Sequence, residues 1–331
     1  MHIFKNTNYD FLRWRWHAIA LSWAIIIIGG IMFARVGMPL GIEFAGGTAV
    51  VVEFEQPTTT EQVRGALDRA LGGGGELVIQ PFGNRAENRY LIRVPTVGAE
   101  SGTALSSEAE KVEGALKQGG LGNFTRLQTQ IVGPSVGKEL RSKALLATVF
   151  SLAGLLAYIA FRFQFSFAVG AVVATVHDLL VTLAFLVIFQ YDMSLNVIAA
   201  ILTITGFSTN DTIVIFDRIR ENMRSMRRDS LGHTINVAIN QTLGRTIITS
   251  GTAFLTSIAL FLFGGEVLHG FAFTMVVGIL TGTYSSVFIA AAIISFWRGT
   301  APTRAAAHAP ASPAPQQPAR KSKPQRKARA S

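Results

Sequence analysis

The sequence predicts a membrane protein of the all-α class, with six transmembrane helices and one small α+β domain of ferredoxin-like type outside the bilayer. Three observations lead there. Hydrophobic residues make up 49% of the 331-residue chain and charged residues only 15%, against about 25% charged in an ordinary soluble domain. Six apolar segments reach or approach the roughly 20 residues that cross a hydrocarbon core. Between the first two lies a polar stretch, Pro39 to Lys143, with its own strand and helix periods.

The six segments are Ala18–Val36, Ala144–Phe161, Phe167–Phe189, Leu195–Phe216, Thr246–Phe263 and Phe271–Trp297. The first follows a basic N-terminus, as a signal peptide would. Its apolar run from Ala18 to Phe33 is longer than an h-region of 7–15 residues, so it reads as an uncleaved span. The expected division is a cytosolic N-terminus over 1–17, a first helix over 18–38, an outer domain over 39–143, helices two to six within 144–298, and a tail over 299–331.

Lys and Arg set the orientation. One set of ends carries Lys5, Arg13 and Arg15, then Arg162, then Arg218, Arg220, Arg224, Arg227 and Arg228, then the basic tail; the loops Gln190–Ser194 and Gly264–Gly270 carry none. Both termini are therefore expected in the cytosol and the polar domain in the periplasm. Lys138, Arg141 and Lys143 break the pattern, but they flank a large translocated domain, where the rule is weak.

In the outer domain Thr48–Glu55 alternates apolar and polar residues and reads as a strand. Thr59–Leu71 has helical spacing at Val63, Ala66, Leu67 and Ala70, closed by Gly72–Gly75. Glu76–Phe82 and Arg89–Val94 read as strands around a Gly83-Asn84 turn. Ser106–Gln118 reads as a helix with Ser107 and Glu110 placed as a capping box. Phe124–Val132 is the last strand. The order βαββαβ is ferredoxin-like.

The formal net charge is +10. Its densest cluster, Arg320 to Arg329, reads as a solvated cytosolic tail that obeys the positive-inside rule, able to meet anionic lipid or ribosomal RNA but not a specific nucleic-acid site. The tail is too poor in apolar residues to build a core and is expected to be disordered. With no Cys, the chain has no disulfide, thiolate metal site or Cys nucleophile. The six His are scattered without zinc-ligand spacing. No phosphate-binding loop or nucleophile elbow occurs. No enzyme, metal or cofactor is predicted, and an energised process here must draw on an ion gradient or a partner.

An ionisable group at bilayer depth is expensive and marks a functional candidate. Asp211 lies seven residues before Arg218, about 10 Å inside the cytosolic surface. Ile204, Phe207, Asp211 and Val214 share a face, and Thr205, Ser208, Thr209, Asn210 and Thr212 make this a wet seam or a helix contact. Small and hydroxylated residues pack helices, but packing does not explain a carboxylate. Arg245, followed by Thr246 and Thr249, matches Asp211 in depth. It reads either as a snorkelling interfacial arginine or as the partner of Asp211, in which case protonation of the acid weakens the pair. Asp178 lies about 20 Å in from Phe165. It either continues a proton path or hydrogen-bonds a neighbouring helix, and His177 beside it reads as a packing or hydrogen-bonding residue.

Several strings resemble a known family. Thr203–Asn222, TITGFSTNDTIVIFDRIREN, resembles the fourth-span signature of the SecF family of protein-export membrane proteins. Asn240–Gly251 is similar to the start of its fifth span, Val132–Arg141 to its link from outer domain to second span, Val176–Asp178 to its third span, and Gly264–Phe271 with Gly282–Ser286 to its sixth. Gly41–Gly47 departs in one place, with Glu43 where the family usually has Asp.

The resemblance covers all but the tail, and it implies half of an RND-type bundle. A pseudo-symmetric SecD supplies the other half. The family works with SecYEG, SecA, YajC and YidC on unfolded preprotein, driven by protons. The resemblance puts the proton-conducting acid and arginine on Asp211 and Arg245, and it implies a mobile periplasmic domain that acts mainly as a support. An RND-type exporter half for lipids or small molecules, and a non-conducting translocon scaffold, are the rival readings.

Overall fold

The computed structural model of the chain describes residues 7–71, 77–83, 88–94, 102–162 and 165–299. The Gly72–Gly75 stop, Asn84 of the expected turn and the tail from Thr300 onward lie outside the described residues. A single turn of 3-10 helix at Leu12–Trp14 leads into α1 (Arg15–Val36). The outer domain then runs α2 (Ile42–Ala45), β1 (Gly47–Phe54), α3 (Thr60–Leu71), β2 (Val78–Pro81), β3 (Arg89–Val94), α4 (Gly102–Gln118) and β4 (Phe124–Val132). The rest is helical: α5 (Pro134–Arg162), α6 (Phe165–Ile188), α7 (Leu195–Ser225), α8 (Leu231–Phe263), α9 (Glu266–Ser285), a π turn (Ser286–Ala290) and α10 (Ala291–Gly299). Among the described residues, six helical segments are long and apolar enough to cross a membrane, the last being Val267–Phe296.

The four strands form one sheet in the order β2-β3-β1-β4, and every neighbouring pair is antiparallel. That is the ferredoxin-like arrangement predicted by the chain order. Because side chains alternate along a strand, Val50, Val52 and Phe54 of β1 point to one face. There, with Ile79 and Ile92, they pack on Val63 and Leu67 of α3 and Val112 and Leu116 of α4. Tyr90 closes this core, donating its phenol to the Thr58 carbonyl. Burial, and then the charge of Glu61, raise the phenol above its ordinary pKa, which keeps the proton available to donate.

One local expectation is corrected. Ser107 lies in the second turn of α4, which begins at Gly102, so it does not cap the helix. Thr103, Ala104 and Leu105 are compatible with helix, and α4 continues through them. The reciprocal box belongs instead to α3: Thr59 N–H donates to Gln62 Oε1 at 2.8 Å, and Gln62 N–H donates to Thr59 Oγ1 at 3.4 Å.

The spans exceed their apolar runs. α5 starts with Pro134 at its first position, where a missing N–H costs nothing. α7 is 31 residues long and capped by Ser194, whose side chain accepts from Val197 N–H; α8 is 33 residues long and capped by Ser230, which accepts from His233 N–H. The extra turns of α8 hold the N-terminal segment. Asn240 Oδ1 accepts from Tyr9 N–H at 3.0 Å, and Asn236 Oδ1 accepts from Leu12 N–H at 3.2 Å.

The outer domain is tied to the bundle at the loop between α6 and α7. Gly41 N–H donates to the Met193 carbonyl at 2.7 Å, and Met193 N–H donates to the Pro39 carbonyl at 2.8 Å. Arg93 of β3 is paired with Asp192 through both guanidinium nitrogens. Beneath the sheet's second face, a cavity of about 530 Å³ is bordered by Gln128, Gln130, Arg93, Asp192 and His269. At the domain's root Gly46 adopts φ 74°, and a Cβ there would lie 3.0 Å from Pro134 Cα. Gly137 packs against the backbone of residues 43–46. This double-glycine crossing seats the domain on the first turn of α5.

The native chain lacks Cys, so paired spin labels can be placed without background. With labels at engineered cysteines on Asn123 and Asn196, the parent is expected to give a narrow distance distribution and Arg93→Met a broader one. Equal widths would show that the Arg93–Asp192 pair does not hold the domain.

Candidate functional site

The site is built on α7, the most polar of the spans. Ile204, Thr205, Ser208, Thr209, Asp211, Thr212 and Ile215 are buried on it, and α6, α8 and α9 surround it. The inward face is therefore more polar than the Ile204–Val214 stripe implies. Thr205 and Thr209 donate to the carbonyls of Ile201 and Thr205, four residues back. This satisfies their hydroxyls inside the helix, where lipid offers no partner.

Asp211 is 4% exposed. Its Oδ2 accepts a hydrogen bond from Ser250 Oγ of α8 at 2.9 Å. Thr246, one turn earlier on α8, is buried, and its Oγ1 has no hydrogen-bond partner among the described residues. Arg245 lies exposed on α8, and among the described residues it forms no salt bridge with Asp211, although its charge acts on that carboxylate. The reason is geometric. Arg245 stands five residues before Ser250, which is about 140° around a helix of 3.6 residues per turn. With Ser250 facing the acid, Arg245 meets it only at a distance, as a charge.

Asp178 of α6 is 3% exposed, and its Oδ2 accepts from Ser208 Oγ of α7 at 2.5 Å. The other carboxylate oxygen lies 3.0 Å from His177 Nδ1. Ser208 and Asp211 are three residues apart on α7, so they stand on one face. The two acids thus belong to a single seam. Thr212 Oγ1 and Ser286 Oγ, 2.8 Å apart, join it to the last span.

The remaining sequence candidates divide. His177 and Ser208 join the seam. Asn210 is exposed on α7 and turned away from it. Thr249 bonds back to the Arg245 and Thr246 carbonyls of its own helix. Among the described residues no group of three or more His, Asp or Glu side chains converges as a metal site requires.

Ser250, Ser286 and the close approach of α9 had gone unread. Gly278 and Gly282 are spaced four apart, which is the small-residue signal for close helix packing. A Cβ on Gly278 would overlap Ile204, and one on Gly282 would lie 2.8 Å from Ser208 Cβ. Just beyond, the π turn at Ser286–Ala290 interrupts the last span. Such turns gather at functional sites, and no residue pattern announced this one.

The chain resembles known proteins along most of its length. The family model described as protein export membrane protein SecD/SecF, C-terminal, matches residues 111–300, and the SecD/SecF GG motif matches residues 31–58. The protein translocase subunit SecF of Koribacter versatilis is 38% identical, covering 90% of this chain and 95% of its own length. That of Desulfurispirillum indicum is 42% identical, covering 87% and 91%. The crystal structure of SecDF, a translocon-associated membrane protein from Thermus thermophilus, superposes with a TM-score of 0.78 at 32% identity over 89% of this chain. The chain spans 39% of that longer protein.

Gly282→Ala is expected to displace Ser208 from Asp178 and to cost about 1–3 kcal/mol, as overpacking does. Gly206→Ala, where nothing lies within 4 Å of the added Cβ, is expected to be neutral or stabilising. Thermal unfolding in detergent checks both. Equal stability of the two variants would contradict the close packing of α7 on α9.

Proposed function

The chain belongs to the SecD/SecF family of protein export membrane proteins, and on that premise we propose that it uses the proton motive force to assist protein translocation across the bacterial inner membrane. It pairs with SecD, which supplies the second half of the bundle, and acts with SecYEG and SecA, with YajC and YidC as further partners. Both termini lie in the cytosol, residues 39–143 form the periplasmic domain, and residues 144–298 carry helices two to six.

The observation that supports this reading best is Asp211: a carboxylate, 4% exposed, within a span, held among the described residues by a serine hydroxyl with the Arg245 charge acting on it from α8. A hydroxyl and a cation beyond salt-bridge distance are a small return for removing a carboxylate from water. A protonatable switch gives a reason to keep an acid there. Protons reach the seam from the periplasm, with Asp178 as a second acid on the way, and neutralise Asp211. The Ser250 contact then changes, and α7 and α8 repack. Arg245 comes to face the seam when α8 turns, so its contact with Asp211 belongs to another state of the cycle. One charge crossing 100 mV releases roughly 2.3 kcal/mol, so a few protons bias a conformational equilibrium worth several kcal/mol. The ties at Met193 and Asp192 carry that motion to the periplasmic domain, which keeps an emerging preprotein from sliding back.

Export in cells depleted of their own SecF tests this reading. Complementation with Asp211→Asn or Arg245→Met, at equal expression and equal SecD binding, is expected to leave gradient-dependent export near the level of uncomplemented cells. Export at the parental rate in both variants would make the chain a scaffold. Lipid or small-molecule efflux that is lost in these variants while export persists would make it an exporter half.

A further inference from the structure

A cavity of about 10 Å³ lies between α6 and α7, lined by Thr175, Asp178, Thr182, Ile204, Thr205 and Ser208. Its polar side chains are all buried, Thr205 being the most exposed at 8%. Three of the hydroxyl protons are committed elsewhere. Thr175 donates to the Ala171 carbonyl at 2.9 Å, Thr205 to the Ile201 carbonyl at 2.8 Å, and Ser208 to Asp178 Oδ2 at 2.5 Å. These oxygens therefore offer the cavity only lone pairs, and an ionised Asp178 also only accepts. The fourth hydroxyl, Thr182 Oγ1, is 2% exposed and has no hydrogen-bond partner among the described residues.

A ring of acceptors selects an occupant that donates, and a cavity of this size, at the lower limit of roughly 10–15 Å³, admits one water. We propose that it is a single-water site through which protons reach Asp178, and that Thr182 is the residue positioning the water. The inference rests on the proton-coupled reading above and deepens it. Thr182 stands one turn closer to the outer end of α6 than Asp178, and Thr205 one turn closer to the outer end of α7 than Ser208. The cavity thus lies on the side from which protons arrive. A hydronium there passes its proton to a carboxylate oxygen of Asp178, leaving neutral water in the cavity and a carboxylic acid on the helix. Among the described residues, the titratable groups nearest Asp178 are His177 on its own helix and Tyr284 of α9, whose ring centroid is 6.5 Å from that of His177, with Asp211 three residues beyond Ser208 on α7. The facing stretch of α1, from Ala18 to Ala34, carries no charge.

Infrared difference spectroscopy of the SecD-paired chain in liposomes tests the site, with export measured on the same variants. The carboxyl C=O band of Asp178, identified by its loss in Asp178→Asn, is followed after a drop in external pH. In Thr182→Val, which keeps the volume and loses the hydroxyl, the band is expected to rise several-fold more slowly. The water O–H band sensitive to ¹⁸O exchange is expected to disappear, and export to slow several-fold. Thr182→Ser is expected to restore all three. Parental kinetics and an intact water band in Thr182→Val would overturn the site. A response to sodium chloride but not potassium chloride at fixed pH would also overturn it, assigning the cavity to a metal cation. If Asp211→Asn exports normally, the proton-coupled reading fails; if only Thr182→Val does, the water site alone fails.

Discussion

A carboxylate inside a bilayer has no bulk water to solvate it, and the helix packing around α7 meets that demand with hydroxyl groups. Asp211 and Asp178 sit in neighbouring helices, and each takes its contact from a serine on the helix beside it, Ser250 and Ser208. A serine hydroxyl is short. It reaches a carboxylate on another helix only when the two backbones lie close. The neighbouring helices must then close behind these contacts, which puts small residues at their crossings at a cost in helix propensity. Gly278 and Gly282 let α9 press against Ile204 and Ser208. Gly29 does the same for α1 against Ala184. Packing and electrostatics are one constraint here: a side chain at Gly282 moves the serine that holds Asp178.

The same logic separates the seam from the periphery. α6 and α7 bury about half of their most apolar stretch within the chain, whereas α1 and α5 bury 11% and 6%. The buried helices carry the acids, and the peripheral ones present Ile, Leu and Phe outward as lipid-facing surfaces do. Arg245 is the exception. It is an exposed charged side chain on α8, without a salt bridge among the described residues, at the depth of the acid its charge acts on. An exposed cation at that depth suits a helix surface that meets a second protein or a changed helix orientation better than one that meets lipid.

Much of this was legible in the residues. Apolar runs gave the six spans, period-two and period-3.6 patterns gave the outer domain, and the order of its strands gave the sheet. Asp211 and Asp178 stood out because their chemistry is wrong for their surroundings. The helix ends were less legible: α8 begins at Leu231 because Ile235, Ala238 and Ile239 pack into the core, and a hydropathy signal does not extend through Asn236, Asn240 and Arg245. Ser250 and Ser286 were missed because serine is common in spans and its partner is set by helix rotation, which no local pattern encodes. For the same reason the Asp211–Arg245 pairing looked plausible from depth alone. Depth is a one-dimensional quantity, and the contact depends on the angle around α8.

The central claim is that the buried carboxylate of Asp211 carries protons across the membrane, and proton flux reports on it without passing through export. In liposomes holding the SecD-paired chain at equal density, an imposed pH gradient is predicted to drive proton influx in the parent. In Asp211→Asn the influx falls to that of empty liposomes. Undiminished influx in Asp211→Asn would contradict the account.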